Sequence, residues 1–165
     1  MRIIFFRKAE PAEIWEIKDL QVLVGELVSR AKTLLTLVDK NYIEKSAEIF
    51  SEVSDEVRRA SVFIKSVANE IIGNVKKIKE EIAKEDYESA KADVSDILVL
   101  LHDAFEYNNS LWKYLRDEDP PKRVWGEVSN IIIELEEVAQ AIIQRLKEHR
   151  GEMKTPKETK ESLKA

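Results

Sequence analysis

Apolar residues through most of this chain recur in alternating steps of three and four, the period of helices with one buried face. The first run is Ile14, Ile17, Leu20, Val24, Leu27, Ala31, Leu34 and Val38, widened by Val28 and Leu35. With Pro11 suited to a first turn, it predicts a helix over residues 11–39. Asn41 followed by Glu44 has the spacing of an N-cap and its reciprocal partner, so a second, uninterrupted helix is expected over residues 41–84 after a very short turn. Its stripe is Phe50, Val53, Val57, Ala60, Ile64, Val67, Ile71, Val75, Ile78 and Ile82. Gly73 lies within it and costs only about 1 kcal/mol relative to alanine, too little to stop a helix that stays apolar on both sides.

Lys84, Glu85 and Asp86 turn the chain, with Asp86 as the N-cap of a third helix. That helix carries Ala90, Val94, Ile97, Leu101, Ala104, Asn108, Leu111 and Leu115 on one face and is expected to end at Pro120 and Pro121. A fourth stripe follows, Val124, Val128, Ile131, Leu135, Val138, Ile142 and Leu146, ending before Gly151. Residues 1–10 have no helical period and read as an extended arm; residues 151–165 are mostly charged and read as a disordered tail. The expected fold is all-α: an antiparallel up-down-up-down four-helix bundle over residues 11–150, with long helices and an N-terminal arm.

Folding the chain at these turns predicts which residues lie level. Paired numbers should sum to about 80 for the first two helices, about 170 for the second and third, and about 240 for the third and fourth. On that arithmetic the end of the second helix overhangs the first by about 20 Å. Ile71, Val75, Ile78 and Ile82 then form an apolar strip that Ile3, Ile4, Phe5 and Phe6 are placed to cover, or that a partner uses.

Composition narrows the chemistry. Charged residues make up 36% of the 165, and the net charge of -5 argues against general nucleic-acid affinity. The absence of cysteine excludes disulfides, thiolate zinc sites and cysteine nucleophiles, and two histidines exclude a multi-histidine metal centre. No run approaches membrane-spanning length, and Ile3 to Phe6 is too short for a signal-peptide core, so a cytoplasmic location is expected. The Glu- and Lys-rich composition fits a thermophile.

The most specific local feature is a repeated tetrapeptide: Glu52-Val53-Ser54-Asp55, Asp93-Val94-Ser95-Asp96 and Glu127-Val128-Ser129-Asn130. Acid pairs on several helices are how carboxylate metal centres are built, which makes Glu52, Asp55 and Glu127 the candidate ligands for a divalent metal. Level arithmetic places the Asp93 copy toward the other end, and a core-facing Val puts its acidic neighbours at the boundary or in solvent. Solvated ion pairs, such as Glu52 with Arg30 or Asp93 with Lys76 or Arg145, are the preferred reading, and no cofactor is expected. His102, beside Leu101, reads as a boundary residue, and Asn108 as a core polar residue that fixes register. Trp112 and Trp125 fall level and should pack together.

The opening Met1 to Lys8, the long first helix and the run Glu52-Val53-Ser54-Asp55-Glu56-Val57-Arg58-Arg59 resemble the PhoU-like proteins, in particular the shorter PhoU-divergent branch found near phosphate transporters. The resemblance covers roughly residues 1–115 and rests on helix order and the acid-to-double-basic run. It implies an all-helical protein that regulates phosphate uptake through protein contacts and through metal clusters held by acid-x-x-x-Asp motifs. Here Ser51 stands four before Asp55 and Ala92 four before Asp96, so the resemblance carries over the interaction role and not the metal site. The expected function is non-enzymatic, through a protein partner or self-association, as an accessory or regulator of phosphate uptake. A scaffold or oligomerisation module with no phosphate link is the alternative.

Overall fold

A computed structural model describes residues 19–49, 54–116, 119 and 121–154, and is helical almost throughout, with no strand among them. Helix α1 is Leu20–Leu37. It runs without a break through a π-helical turn, Val38–Tyr42, into α2, Ile43–Ile49. Then come α3, Ser54–Ala83, and α4, Tyr87–Ser110, which finishes in a 3-10 turn, Leu111–Tyr114; α5 is Pro121–Lys154. The predicted arm, Ile3 to Phe6 included, lies outside the described residues, as do residues 155–165.

Several predicted boundaries move. Asp19 has extended backbone angles and its side chain accepts from the Val22 N–H at 3.0 Å, so α1 starts there; residues 11–18 of the predicted first helix lie outside the described residues. The turn expected at Asn41 does not form. Tyr42 and Ser46 instead continue the buried series Leu34, Val38 in steps of four, each fully or almost fully enclosed. In a regular helix a step of four over-rotates by about 40°, so three in succession walk a stripe off the core. The wider π turn takes part of that rotation back and keeps Tyr42 and Ser46 inward. Burying a large apolar side chain is worth about 1.5–3 kcal/mol against about 1 kcal/mol for an N-cap, so the core position of Tyr42 outweighs the capping preference of Asn41.

The absence of a turn at Asn41 changes which residues of α1 and α3 face each other. Lys65 Nζ pairs with Asp39 at 2.7 Å, and Gln21 and Val24 share a cleft with Lys79, Ile82 and Ala83. These pairs sum to about 104 rather than about 80, so α1 reaches the far end of α3 and the expected overhang disappears. Ile71, Val75 and Ile78 are core residues. The other two sums hold. Glu56 with Tyr114, Phe63 with Tyr107 and Lys77 with Asp93 each give about 170; Asn108 with Ser129 and Trp112 with Trp125 each give about 237.

Packing is carried by α1 on α3 and α5, and by α4 on α3 and α5, contacts consistent with an up-down helix order. The core that results follows the predicted stripes, with Leu23, Ala68, Trp125, Ile132 and Ala139 added where the apolar face is wider than a single row. Gly73 is mid-helix as expected, and Gly25 and Gly73 both face open space.

The corner between α3 and α4 has a defined geometry. Asp86 N–H donates to the Glu81 carbonyl at 2.8 Å and Glu85 N–H to the Ile82 carbonyl at 3.0 Å, the paired bonds of a Schellman ending. Glu85 occupies the left-handed position with φ 62°, where glycine is the usual residue. Glu85→Gly should therefore raise unfolding free energy by about 1 kcal/mol, read from the urea midpoint at constant m value. Asp86 caps α4 as predicted, accepting from the Ser89 N–H at 3.3 Å.

The corner between α4 and α5 differs from expectation. Helix α4 tightens and ends before the prolines, and Pro121 opens the next helix, where its missing N–H costs nothing. Asp119 is buried and holds the connection: its carboxylate accepts from the Arg116 backbone N–H at 2.7 Å, and its carbonyl accepts from the Lys122 N–H at 3.1 Å. Helix α5 passes through Gly151 to Lys154, beyond the predicted stop.

Candidate functional site

Two features sit at the end of the molecule where α2, the start of α3, the end of α4 and the start of α5 lie. The first is a buried polar network. Tyr42 Oη donates to Asn108 Oδ1 at 2.8 Å. Asn108 Nδ2 donates to the Trp125 carbonyl at 2.9 Å and to Ser129 Oγ at 2.7 Å. Trp125 Nε1 donates to Ser46 Oγ at 2.9 Å, and Ser46 Oγ donates to the Tyr42 carbonyl at 2.6 Å, which closes the circuit.

The π turn aims Tyr42 inward, and α4 supplies Asn108 at the core position its stripe predicted. Burial pushes the Tyr42 phenol well above its ordinary pKa, so it stays a neutral donor. Trp125 sits between Tyr42 and Trp112, with ring centroids 6.2 Å and 6.5 Å away, the second pair edge-on at 76°. Each polar side-chain group is spent on a neighbour, so the network fastens three helical segments and fixes their register. Asn108 was legible in the sequence; Tyr42, Ser46 and Ser129 were missed. The steps of four from Val38 to Tyr42 to Ser46 were the available signal for the first two.

The second feature is a pair of adjoining surface grooves between α3 and α4. One, of about 470 Å³, is lined by Asp55, Arg58, Arg59, Val62, Phe63, Ser66 and Tyr107. A smaller one, of about 150 Å³, continues from Arg59 and Tyr107 to Glu56, Lys113 and Tyr114. The floor is aromatic: Phe63 and Tyr107 stack at 4.8 Å and 32°. Val62 is 63% exposed and Tyr107 44%, large values for side chains of this kind. Around them Tyr114 Oη donates to Glu56 Oε2 at 2.8 Å, Arg58 pairs with Asp55 at 3.3 Å in full solvent, and Lys113 lies 5.2 Å from the Tyr114 ring centre.

The chain matches no family model, and it has no significant match among curated proteins or solved structures.

Of the predicted metal ligands, Asp55 and Glu127 are described. Glu52 lies outside the described residues. Asp55 is exposed with Arg58, and Glu127 pairs with Arg123 at 3.4 Å on α5, a helix whose main packing partners are α1 and α4. Among the described residues no group of three His, Asp or Glu side chains is placed to hold a metal ion. Arg30, expected opposite Glu52, bridges Glu26 and Glu134, the latter at 3.0 Å. Asp93 pairs with Lys77 at 3.6 Å, one residue from the predicted Lys76. His102 is more exposed than expected, 4.0 Å from Glu106.

Of the predicted interaction strip, Ile71, Val75 and Ile78 are enclosed in the core. Ile82 is half-buried and lines a cleft of about 350 Å³ with Gln21, Val24, Lys79 and Ala83. The exposed large apolar side chain on α3 is Val62, toward the opposite end. Among the described residues no helix is long and apolar enough to cross a membrane.

Proposed function

We propose that this chain is an antiparallel up-down-up-down four-helix bundle that acts in the cytoplasm by protein contact, without catalysis, and that the α3–α4 groove receives its partner. The observation that carries the reading is the exposed Val62 and Tyr107 over the Phe63 ring, flanked by Arg58 and Arg59. Aromatic and arginine side chains around an apolar centre are the composition of protein interfaces. The Arg58–Asp55 pair is too solvated to resist exchange for another carboxylate. The matching partner segment presents one or two apolar side chains to the groove and acidic ones to the arginines. The resemblance of residues 52–59 to the PhoU-like proteins supports a regulator of phosphate uptake, with the contact role retained and no metal cluster.

Photo-reactive side chains placed at Val62, and for comparison at Val99, which is equally exposed on α4, test this in cells. A discrete adduct from Val62 alone, lost with Arg59→Glu and identified by mass as a component of phosphate transport, is the expected result. An adduct with a second copy of the chain moves the reading to an oligomerisation module. No adduct, or equal labelling from both positions, removes the groove from consideration.

A further inference from the structure

At the other end of α3 three charged side chains each bury an atom that has no hydrogen-bond partner: Glu81 Oε1, Asp93 Oδ2 and Arg145 Nε. They are the three such side-chain atoms among the described residues, and they fall level with one another on α3, α4 and α5. Glu81 is in the last turn of α3, and its carbonyl is the acceptor that closes the Schellman corner. Asp93 faces it from α4. Two carboxyl groups in contact, each with an oxygen out of reach of water, are unstable as a pair of anions unless a cation or a proton lies between them. Lys77 Nζ lies 3.6 Å from Asp93 and is itself largely in solvent, which leaves the pair incompletely neutralised.

We propose that the α3–α4 corner is a proton-operated joint, in which one proton held between Glu81 and Asp93 ties the end of α3 to α4 and its loss lets the corner open. Burial first, then the hydrogen bond that a shared proton makes to Asp93 and the negative charge of Asp93, raise the Glu81 carboxyl to about 7; Lys77 acts the other way and Asp86 adds to the rise. The remaining helices contribute little opposition. Arg145, at this level on α5, is engaged by Glu148 at 3.3 Å, and α1 presents Gln21 and Val24, neither of which titrates. Glu81 binds its proton more tightly in the folded chain than in the unfolded one. Its stabilising contribution is therefore complete below the unfolded carboxylate pKa, near 4.5, and is lost as pH rises through about 7. Asp86 N–H, bonded to the Glu81 carbonyl across the corner at 2.8 Å, and Ala90 N–H, bonded to the Asp86 carbonyl at 3.2 Å in the first turn of α4, report whether it is closed.

The test is an NMR titration of the full chain with hydrogen-exchange protection factors measured at pH 5.5 and 8.5, in wild type and in Glu81→Gln, which keeps the shape and removes the titration. In wild type the Glu81 carboxyl carbon should titrate near pH 7, and protection at Asp86 and Ala90 should fall about tenfold between the two pH values. In Glu81→Gln that fall should vanish, while protection in α1 is unaffected. A Glu81 midpoint in the ordinary carboxylate range, a wild-type corner whose protection does not change, or a variant that keeps the change would each overturn the proposal.

Discussion

Trp125→Ala should destabilise the protein by about 4–5 kcal/mol, the largest effect of any single truncation considered for this chain. The indole is fully enclosed, packs against Tyr42 and Trp112, and donates to Ser46. Removing it leaves a void the surrounding helices cannot close, together with the loss of a buried hydrogen bond to Ser46. Against a total of about 5–15 kcal/mol for a domain of this kind, the loss should lower the thermal midpoint by roughly 10–20 °C. Trp125→Phe should cost clearly less, since the ring volume is largely kept. Trp112→Ala, at a half-buried position, should also fall well below it. Chemical unfolding of the three variants checks the order, and a Trp125→Ala loss under about 2 kcal/mol would contradict the packing described.

Asn108→Leu is expected to cost about 3 kcal/mol despite its similar size and greater hydrophobicity. The substitution strands the Tyr42 hydroxyl in the core, and an unpaired buried donor costs about 1–3 kcal/mol beyond the hydrogen bonds lost. Tyr42→Phe alone should cost about 1–2 kcal/mol, because it strands the Asn108 carbonyl instead. The double variant removes both members, so its loss should fall short of the sum by at least about 1 kcal/mol. Additive losses would mean that the bond between Tyr42 and Asn108 contributes nothing of its own.

Much of the fold was legible in the apolar spacing, because helix faces obey a period that local sequence states directly. The stripes of α1, α3, α4 and α5 became the core, and Asp86 and Asn108 took the roles their positions suggested. The first inter-helix turn was misplaced because Asn41 and Glu44 have the chemistry of a helix start. A capping preference is a local term, and the burial of Tyr42 and Ser46 is a tertiary one that no window around Asn41 contains. That one displacement moved the alignment of α1 on α3 and put Ile71, Val75 and Ile78 of the predicted docking strip inside the core. The groove was hidden for a different reason. Val62 and Tyr107 lie on separate helices and off the stripes, and only the fold brings Tyr107 over Phe63.

The continuation of the helix past Asn41 also gives the molecule two unlike poles. Around Asn108 the helices are cross-bolted by a closed circuit of hydrogen bonds, and the candidate groove lies on that fixed pole. Glu81 stands about 28 Å from Val62 along α3, at a corner that the proposed proton helps to hold beside the left-handed Glu85. The two poles of α3 are held differently: the hydrogen-bond circuit fixes one, and at the other only the last turn, beyond the buried Ile78, depends on the proposed proton. On that proposal a change in acidity loosens the corner and leaves the proposed docking groove in place.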